Sequence, residues 1–358
     1  MVRGVVFAGD GTYEQRDFPM PEPPPGGAVL QVEAVGMCAS DVAQLHGHHH
    51  VPGETAPVVP GHEIVGRVHA LGADADLGVA VGQRVGVDLV RRCGTCSACD
   101  AGGRGCRTLD IYGYTFGLAE RSGLYGGYGQ YMEILSGTHL VPLPDDVPAE
   151  ELSLFEPLAS AVNWIKLCRV RAHDTVVIQG PGHMGLICLA VALHAGAKTV
   201  IVTGTGQDTM RLEAARDIGA THTIDVDNED LVARVGEITG GAMASVVIDV
   251  ADAATQTVPL AVEMAQPGGR ILLAGLKNFA PVELVTDLIV LKSLTLVGGS
   301  GSTPETMDAA GALLRDKVLP TAKLKGRVFT LDELDEAMAY LTRTDGRDAI
   351  RVGLLHQH

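Results

Sequence analysis

The spacing of apolar residues changes part-way along this chain. From residue 149 to about residue 297, short apolar runs alternate with longer stretches in which apolar residues recur at helical intervals. Val176, Val177 and Ile178 form one such run, followed by Gly180, Gly182 and Gly185 and by Leu186, Ile187, Leu189, Ala190 and Leu193. That order predicts strand, tight turn and helix. The same pattern predicts strands at 199–203, 221–225, 245–250, 270–274 and 294–297, with helices at 209–218, 228–238 and 257–265, the last ended by Pro267 and Gly268. A helix at 149–167 carries Glu150 and Glu151 in its first turn, and Pro157 should bend or divide it. Strands separated by helices describe a parallel sheet covered on both faces.

Outside that region the period shortens. Residues 1–152 are broken by Gly and Pro and read mainly as short strands, at 29–35, 63–70 and 83–87, with a Pro-rich link at 19–25. After residue 298 a helix at 304–314, a strand at 325–329 and a helix at 331–341 precede a strand at 350–354. That strand is too short and too late to extend the parallel sheet, so it is expected to return to the first domain. The 358 residues exceed one ordinary domain. The expected division is 1–152 with 299–358, and 153–298.

Composition narrows the function. The chain is 46% hydrophobic, enough for two cores, and sets 27 Lys and Arg against 43 Asp and Glu, a formal charge of −16. Such a balance disfavours general nucleic-acid binding, since little offsets phosphate repulsion. Arg91, Arg92, Arg104 and Arg107 form too local a basic patch to reverse this. The first residues do not read as a signal peptide, and no apolar stretch is long enough for a membrane span. A cytoplasmic protein is expected.

Four of the seven cysteines lie between Cys93 and Cys106. In a reducing compartment that crowding favours a thiolate metal site over disulfides. Cys93, Cys96, Cys99 and Cys106 can surround one Zn²⁺ tetrahedrally, leaving no open position and hence a structural role; Gly94, Gly102, Gly103 and Gly105 let the loop wrap the ion. An iron–sulphur cluster is the competing reading, without other redox-centre sequence beside it. A second, dispersed signature joins Cys38, in Cys38-Ala39-Ser40-Asp41, to Gly61-His62-Glu63. A thiolate, an imidazole and a carboxylate suit a catalytic Zn²⁺ with one exchangeable position. Taken singly, Cys38 equally suits a buried apolar position, and His62 with Glu63 a surface pair. The glycine turn Gly180-Pro181-Gly182-His183-Met184-Gly185 suits a dinucleotide, whose pyrophosphate would meet the amides at the helix start.

Taken together, Cys38 with Ser40 and Asp41, Gly61-His62-Glu63, the four-Cys lobe, Glu156-Pro157 and the glycine turn resemble the zinc-dependent medium-chain dehydrogenases and reductases in order and over nearly the whole chain. The resemblance implies a Rossmann-type, doubly wound α/β domain beside a mainly β, GroES-like catalytic domain. It implies one catalytic zinc at Cys38 and His62, with Glu63 and Glu156 as carboxylates at the metal, and one structural zinc. Asp41 would orient His62, Ser40 would accept the alcohol proton, and the hydride would pass to a nicotinamide held in the cleft between domains. Arg351 maps to a basic residue near the pyrophosphate. Glu156 stands where ethanol-type members resemble one another in having a second Cys, which points toward the polyol and threonine branch.

Two departures stand out. The lobe leaves six residues between Cys99 and Cys106 where the family usually leaves seven. Ala43 replaces a His that relays the proton to solvent, so His46 is the candidate substitute, within a run that continues through His48, His49 and His50 and that equally suits a solvated loop. NAD is favoured on the resemblance, with NADP as the alternative. The second strand ends at Thr203-Gly204-Thr205-Gly206-Gln207-Asp208 without the acid usual for NAD; Arg211 could meet a 2′-phosphate or, as a helix residue, only solvent, and Asp208 could instead reach the ribose if its loop folds back. Tyr112, Tyr114, Phe116, Leu118, Tyr125 and Tyr128 either line a pocket or cover the lobe. A secondary alcohol and its ketone are the expected substrates, with a polyol, or physiological reduction of an aldehyde or ketone, as alternatives. A sensor without catalysis is disfavoured, since Cys38, His62 and Ser40 are all present. A homodimer or homotetramer is expected, with 291–299 as an apolar edge that could pair across a two-fold axis.

Overall fold

The structure, a computed structural model, describes residues 1–48, 51–100, 106, 110–324 and 326–357. His49, His50, Gly102, Gly103, Arg104, Gly105 and Arg107, named above, lie outside the described residues. The chain forms two compact units: Met1–Pro157 with Thr303–Asp316 and Lys325–His358, and Leu158–Ser302 with Lys317–Leu324. Relative to the boundaries expected from the sequence, the first unit extends five residues further and 317–324 belongs with the second.

The first unit opens with the hairpin β1 (Val2–Phe7) and β2 (Tyr13–Phe18), the second of these polar and mostly exposed. Its main sheet is built on β3 (Ala28–Met37), which leads into α1 (Ala39–Leu45) and then pairs with β4 (Glu63–Leu71). Next come β5 (Arg84–Val87), β6 (Val90–Arg91), the four-residue α2 (Ser97–Asp100), β7 (Asp110–Ile111), β8 (Tyr131–Ile134) and β9 (Leu140–Pro142). β6 and β7 form a separate antiparallel pair at the base of the cysteine lobe. The expected helix at 149–167 is divided into α3 (Ala149–Leu152) and α4 (Phe155–Leu167). The break falls ahead of Pro157 rather than at it. Pro157 is the third residue of α4, where the first-turn amides have no helical partner and a missing N–H costs little.

In the second unit β10 (Thr175–Gln179), α5 (His183–His194), β11 (Thr199–Gly204), α6 (Thr209–Ile218), β12 (His222–Asp225), α7 (Leu231–Thr239), β13 (Ala244–Asp249), α8 (Thr257–Met264), β14 (Ala265–Leu273), α9 (Thr286–Leu291) and β15 (Thr295–Gly298) follow one another. Among the described residues the sheet order is β12-β11-β10-β13-β14-β15, every pair parallel. Counting from β10, that is the 3-2-1-4-5-6 order of dinucleotide-binding sheets. Val176, Val177, Ile178, Val200, Ile201, Val202, Val246, Val247 and Ile248 are wholly buried, as strands covered on both faces require. α7 starts at Leu231, three residues later than expected, because Asp230 caps it by accepting the Ala233 amide. α8 gives way to β14 directly at Ala265, before Pro267. The expected apolar edge divides into the end of α9 and the edge strand β15, with Val290 and Leu291 strongly exposed.

The chain then returns to the first unit through α10 (Pro304–Arg315), β16 (Arg327–Phe329), α11 (Leu334–Leu341) and β17 (Val352–Leu355). β17 pairs antiparallel with β3, so the last strand does rejoin the first sheet, whose order is β16-β17-β3-β4-β5-β9 with β8 on β3. Its core packs Leu30, Val32, Val35, Ile64, Tyr128, Met132, Val352 and Leu354. Burial of each aliphatic side chain is worth about 1.5–3 kcal/mol. Among the described residues, no helix is long and apolar enough to cross a membrane.

Candidate active site

Cys38 sits where β3 ends and α1 begins. It is the extended N-cap of α1, and its amide donates to Asp41 Oδ2 at 2.8 Å. That local capping arrangement turns the Cys38 side chain and the buried Asp41 carboxylate to the same end of the helix. His62 arrives from the opposite side, one residue before β4. Gly61 adopts φ +96° there, and a side chain on it would collide with the ring of Tyr128.

Five side chains then converge. Cys38 Sγ lies 3.4 Å from His62 Nε2 and 2.9 Å from Ser40 Oγ. Ser40 Oγ is 2.8 Å from the Tyr114 hydroxyl, which is 3.2 Å from His62 Nδ1. Asp41 Oδ1 stands 3.6 Å from the same Nδ1 and has no hydrogen-bond partner. The Tyr128 hydroxyl is also buried without one. Burial pushes the Cys38 thiol and the Tyr114 phenol upward, favouring their neutral forms. Burial opposes the charged form of His62, but Tyr114, Cys38 and Asp41 outweigh it and raise the imidazole well above its ordinary value.

Cys38, Asp41 and His62 offer ligand atoms within 4.8 Å of one another, a group that could hold a metal ion. Within it Asp41 faces Nδ1, whereas Cys38 faces Nε2, so an ion between thiol and Nε2 would leave Nδ1 turned toward the Tyr114 hydroxyl and Asp41. A soft thiolate with an imidazole suits zinc, and a bound cation would reverse the burial-driven preference for the thiol.

Glu63 and Glu156 are not members of that group. Glu63 Oε2 meets the Arg351 guanidinium at 3.2 Å, with side-chain exposures of 2% and 5%. Arg351 also donates to Ser153 Oγ at 2.8 Å and to the Glu150 carbonyl at 3.0 Å, so it is a buried tie within the first unit. The pair sits over Gly36, whose Cβ would come within 1.8 Å of Glu63 Oε2. Glu156 is buried in the first turn of α4. His46 is exposed at the C-terminal end of α1 beside Gly11, and among the described residues no hydrogen bond joins it to Ser40.

The lobe cysteines form a second group. Neighbouring sulphurs lie 3.5 Å (Cys106 to Cys93), 3.6 Å (Cys96 to Cys99), 3.8 Å (Cys93 to Cys99) and 3.9 Å (Cys96 to Cys106) apart. Zinc–sulphur bonds of about 2.3 Å in a tetrahedron put the sulphurs about 3.8 Å apart. The four thiols therefore fit such an ion despite the shortened spacing before Cys106.

In the second unit Gly180 follows β10 with φ +106°, a conformation glycine takes freely, and its amide donates to the Thr203 carbonyl at the end of β11. Gly182 caps α5 and has open space where a side chain would be, with Arg211 the nearest group. A Cβ on Gly185 would come within 1.9 Å of the Gly180 carbonyl, so helix and turn are in closest contact there. Pro181 packs toward Gly204, and His183 and Met184 begin α5. The turn lies at the carboxyl end of β10, beside β13, where the strand order reverses and ligands of such sheets bind.

Sequence reasoning named Asp208 near this turn but missed Asp225 and Asp227. Asp227, in the loop after β12, accepts the Gly206 amide at 2.9 Å, and Asp225 holds that loop through the amide of Asp227 and the side chain of Asn228. Asp208 accepts from both the amide and the hydroxyl of Thr205. Asp225-Val226-Asp227 was the available signal, one strand later than the place where an acid is usually sought. Asp249, at the end of β13, pairs with Lys277 at 3.0 Å and accepts from Thr257. Burial raises the pKa of Asp249.

Comparison with known proteins agrees with this architecture. Residues 24–145 match the alcohol dehydrogenase GroES-like domain and residues 184–316 the zinc-binding dehydrogenase domain. The chain is 33% identical to a probable alcohol dehydrogenase of Mycobacterium tuberculosis, over 98% of this chain and 96% of that one. Among solved structures it resembles a zinc-binding dehydrogenase of Sinorhizobium meliloti 1021 bound to NADP (28% identity, TM-score 0.88, 99% of each chain). It also resembles a protein of Escherichia coli CFT073, described as a short chain alcohol dehydrogenase complexed with NADH (25% identity, TM-score 0.88, 99% of each chain). With a GroES-like unit, an all-parallel sheet in dinucleotide-binding order and two thiol-containing groups that could hold metal ions, the chain belongs to the zinc-type medium-chain dehydrogenase/reductase superfamily.

Proposed function

We propose that the protein is a zinc-dependent, NAD(P)-linked alcohol dehydrogenase that oxidises a secondary alcohol to its ketone, with the hydride passing to nicotinamide and one proton to solvent. The observation that carries this reading is the part-buried contact of the Cys38 thiol with both His62 Nε2 and the Ser40 hydroxyl. When bound, zinc supplies Lewis acidity that lowers the pKa of an alcohol, and the nicotinamide supplies the hydride acceptor. Cys38 and His62 hold the ion, Asp41 keeps the His62 ring in register, and Ser40 presents its hydroxyl to the substrate oxygen. Glu63 and Glu156 are the carboxylates assigned to the ion by resemblance. The four lobe thiols hold a second, structural zinc, which requires a reducing compartment such as the cytoplasm.

NAD is the preferred cofactor in this reading. Asp208, Asp225 and Asp227 crowd the end of β11 with negative charge, which suits a ribose diol and repels a 2′-phosphate. A homodimer or homotetramer is also proposed, supported by the exposed edge strand β15 and by Val290 and Leu291 beside it. A polyol as substrate is the second reading, favoured by Glu156 standing where ethanol-type members have a cysteine.

A panel of secondary alcohols and polyols with NAD and NADP, read as reduced-cofactor absorbance, tests the assignment. Secondary alcohols with NAD should give the highest kcat/KM, and metal analysis should find about two zinc ions per chain. No turnover with any alcohol by a chain carrying both ions would overturn it.

A further inference from the structure

The hydrogen bonds around Ser40 have a direction, and Tyr114 sets it. Resting on the reading of His62 as a metal ligand through Nε2, we infer that Tyr114 is a positioning residue that fixes the Ser40 hydroxyl as a donor toward the substrate oxygen.

An imidazole that gives Nε2 to an ion carries its hydrogen on Nδ1. That N–H faces the Tyr114 oxygen at 3.2 Å and Asp41 Oδ1 at 3.6 Å, and only the former is within hydrogen-bond distance. Tyr114 is buried, and its hydroxyl has a single hydrogen to give. Having accepted from His62, it turns that hydrogen to its other neighbour, Ser40 Oγ at 2.8 Å. Ser40, having accepted from Tyr114, has its own hydrogen left for what lies beyond. At 2.9 Å this is Cys38 Sγ, and with substrate bound it is the reacting oxygen.

The chain therefore runs one way, from His62 N–H through Tyr114 to Ser40. A donor aimed at an oxygen that carries negative charge during hydride transfer stabilises that charge in either direction of reaction. Onward passage of the alcohol proton from Ser40 through Tyr114 would require this chain to reverse, which the His62 N–H opposes, so the proton bound for solvent leaves by a path that does not run through Tyr114. Ala43 and the exposed His46 are consistent with a site that has no relay of the usual kind.

The test is a cycle of Tyr114→Phe, Ser40→Ala and the double variant. Phe keeps the ring packed against His62 and removes only the hydroxyl, so melting should be unchanged. Each single variant should lose about tenfold or more in kcat, with a smaller change in KM. On the Ser40→Ala background, Tyr114→Phe should cost less than about twofold, since both act through one bond. Multiplying losses, or a Tyr114→Phe enzyme with wild-type kcat, would overturn the inference. A second readout does not need turnover: in cobalt-substituted protein, Tyr114→Phe should shift the visible absorption bands, because His62 loses its Nδ1 partner, and an unshifted spectrum refutes the bond. A wild-type protein that binds cobalt and oxidises no alcohol would sink the assigned activity while leaving this spectral test intact.

Discussion

Cys93, Cys96, Cys99 and Cys106 meet within one short glycine-rich segment, three of them partly exposed, and their nearest polar neighbours are mainly one another. Cys38 and His62 meet across 24 residues of chain, with Tyr114 brought in from a further strand–turn segment and an Arg351–Glu63 tie reaching across 288 residues. The first arrangement offers an ion four sulphurs and would leave no position for substrate. The second offers fewer ligand atoms and sets them among hydrogen bonds that orient them. A metal site built for support can be local, whereas one built for chemistry draws on the whole fold.

The largest contrast comes from removing one thiol in each. Cys38→Ser should lower kcat/KM by about 10³-fold or more with little change in melting temperature, because Lewis-acid stabilisation is worth several kcal/mol. Cys96→Ser should do the opposite, lowering the melting temperature while the molecules still folded turn over normally. Equal loss of activity in both variants would erase the distinction.

A smaller effect tests how far the second arrangement extends. Arg351→Ala removes the guanidinium that faces the buried Glu63 carboxylate, and breaking a buried pair costs about 3–5 kcal/mol. Urea unfolding should show that loss, and adding Glu63→Ala should recover part of it. No recovery would mean that Arg351 acts mainly through Ser153 and Glu150.

The smallest effect concerns reactivity in the metal-free lobe. Hydrogen bonds from the Thr95 amide and hydroxyl, and from Cys106 and Cys96, draw Cys93 down to about 6, while Cys99 is raised to about 11, chiefly by burial. A lowered thiol pKa means thiolate above that pH and thiol below it. Iodoacetamide labelling followed by peptide mass spectrometry should therefore modify Cys93 at a rate that climbs through pH 6 and levels off by about pH 7.5, with Cys99 still rising at pH 9. A Cys93 profile centred near an ordinary thiol pKa of about 8.5 would remove the asymmetry.

Much of the fold was legible because it is written in local period. The parallel sheet followed from alternating apolar runs, and α6 begins and ends at the residues its pattern marks, Thr209 and Ile218. The return of the final strand to the first sheet followed from its length and position. Boundaries slipped where side chains decided them, as at Asp230 capping α7 and at the division before α4. β2 left no apolar trace because its exposed face is nearly all polar, and α9 was missed because its apolar residues are not buried. Within the site, Cys38, His62 and the lobe were readable as residue types at recognisable spacing. Tyr114 was readable only as one of several aromatics that either line a pocket or cover the lobe, and Asp227 and the partner of Arg351 were not readable, since each matters through a contact between distant segments that no local pattern records.

The pairing of β17 with β3 also fixes when the catalytic unit can be completed. On the ribosome, the strand bearing Cys38 at its end emerges well before the strand that follows Arg351, and the entire parallel-sheet unit is translated in between. The second unit can fold while it emerges, but the first must wait with an open sheet edge and without the Arg351 contact to Glu63 until synthesis is almost finished. Chaperone dependence and premature-termination products should therefore fall mainly on the unit that holds the chemistry.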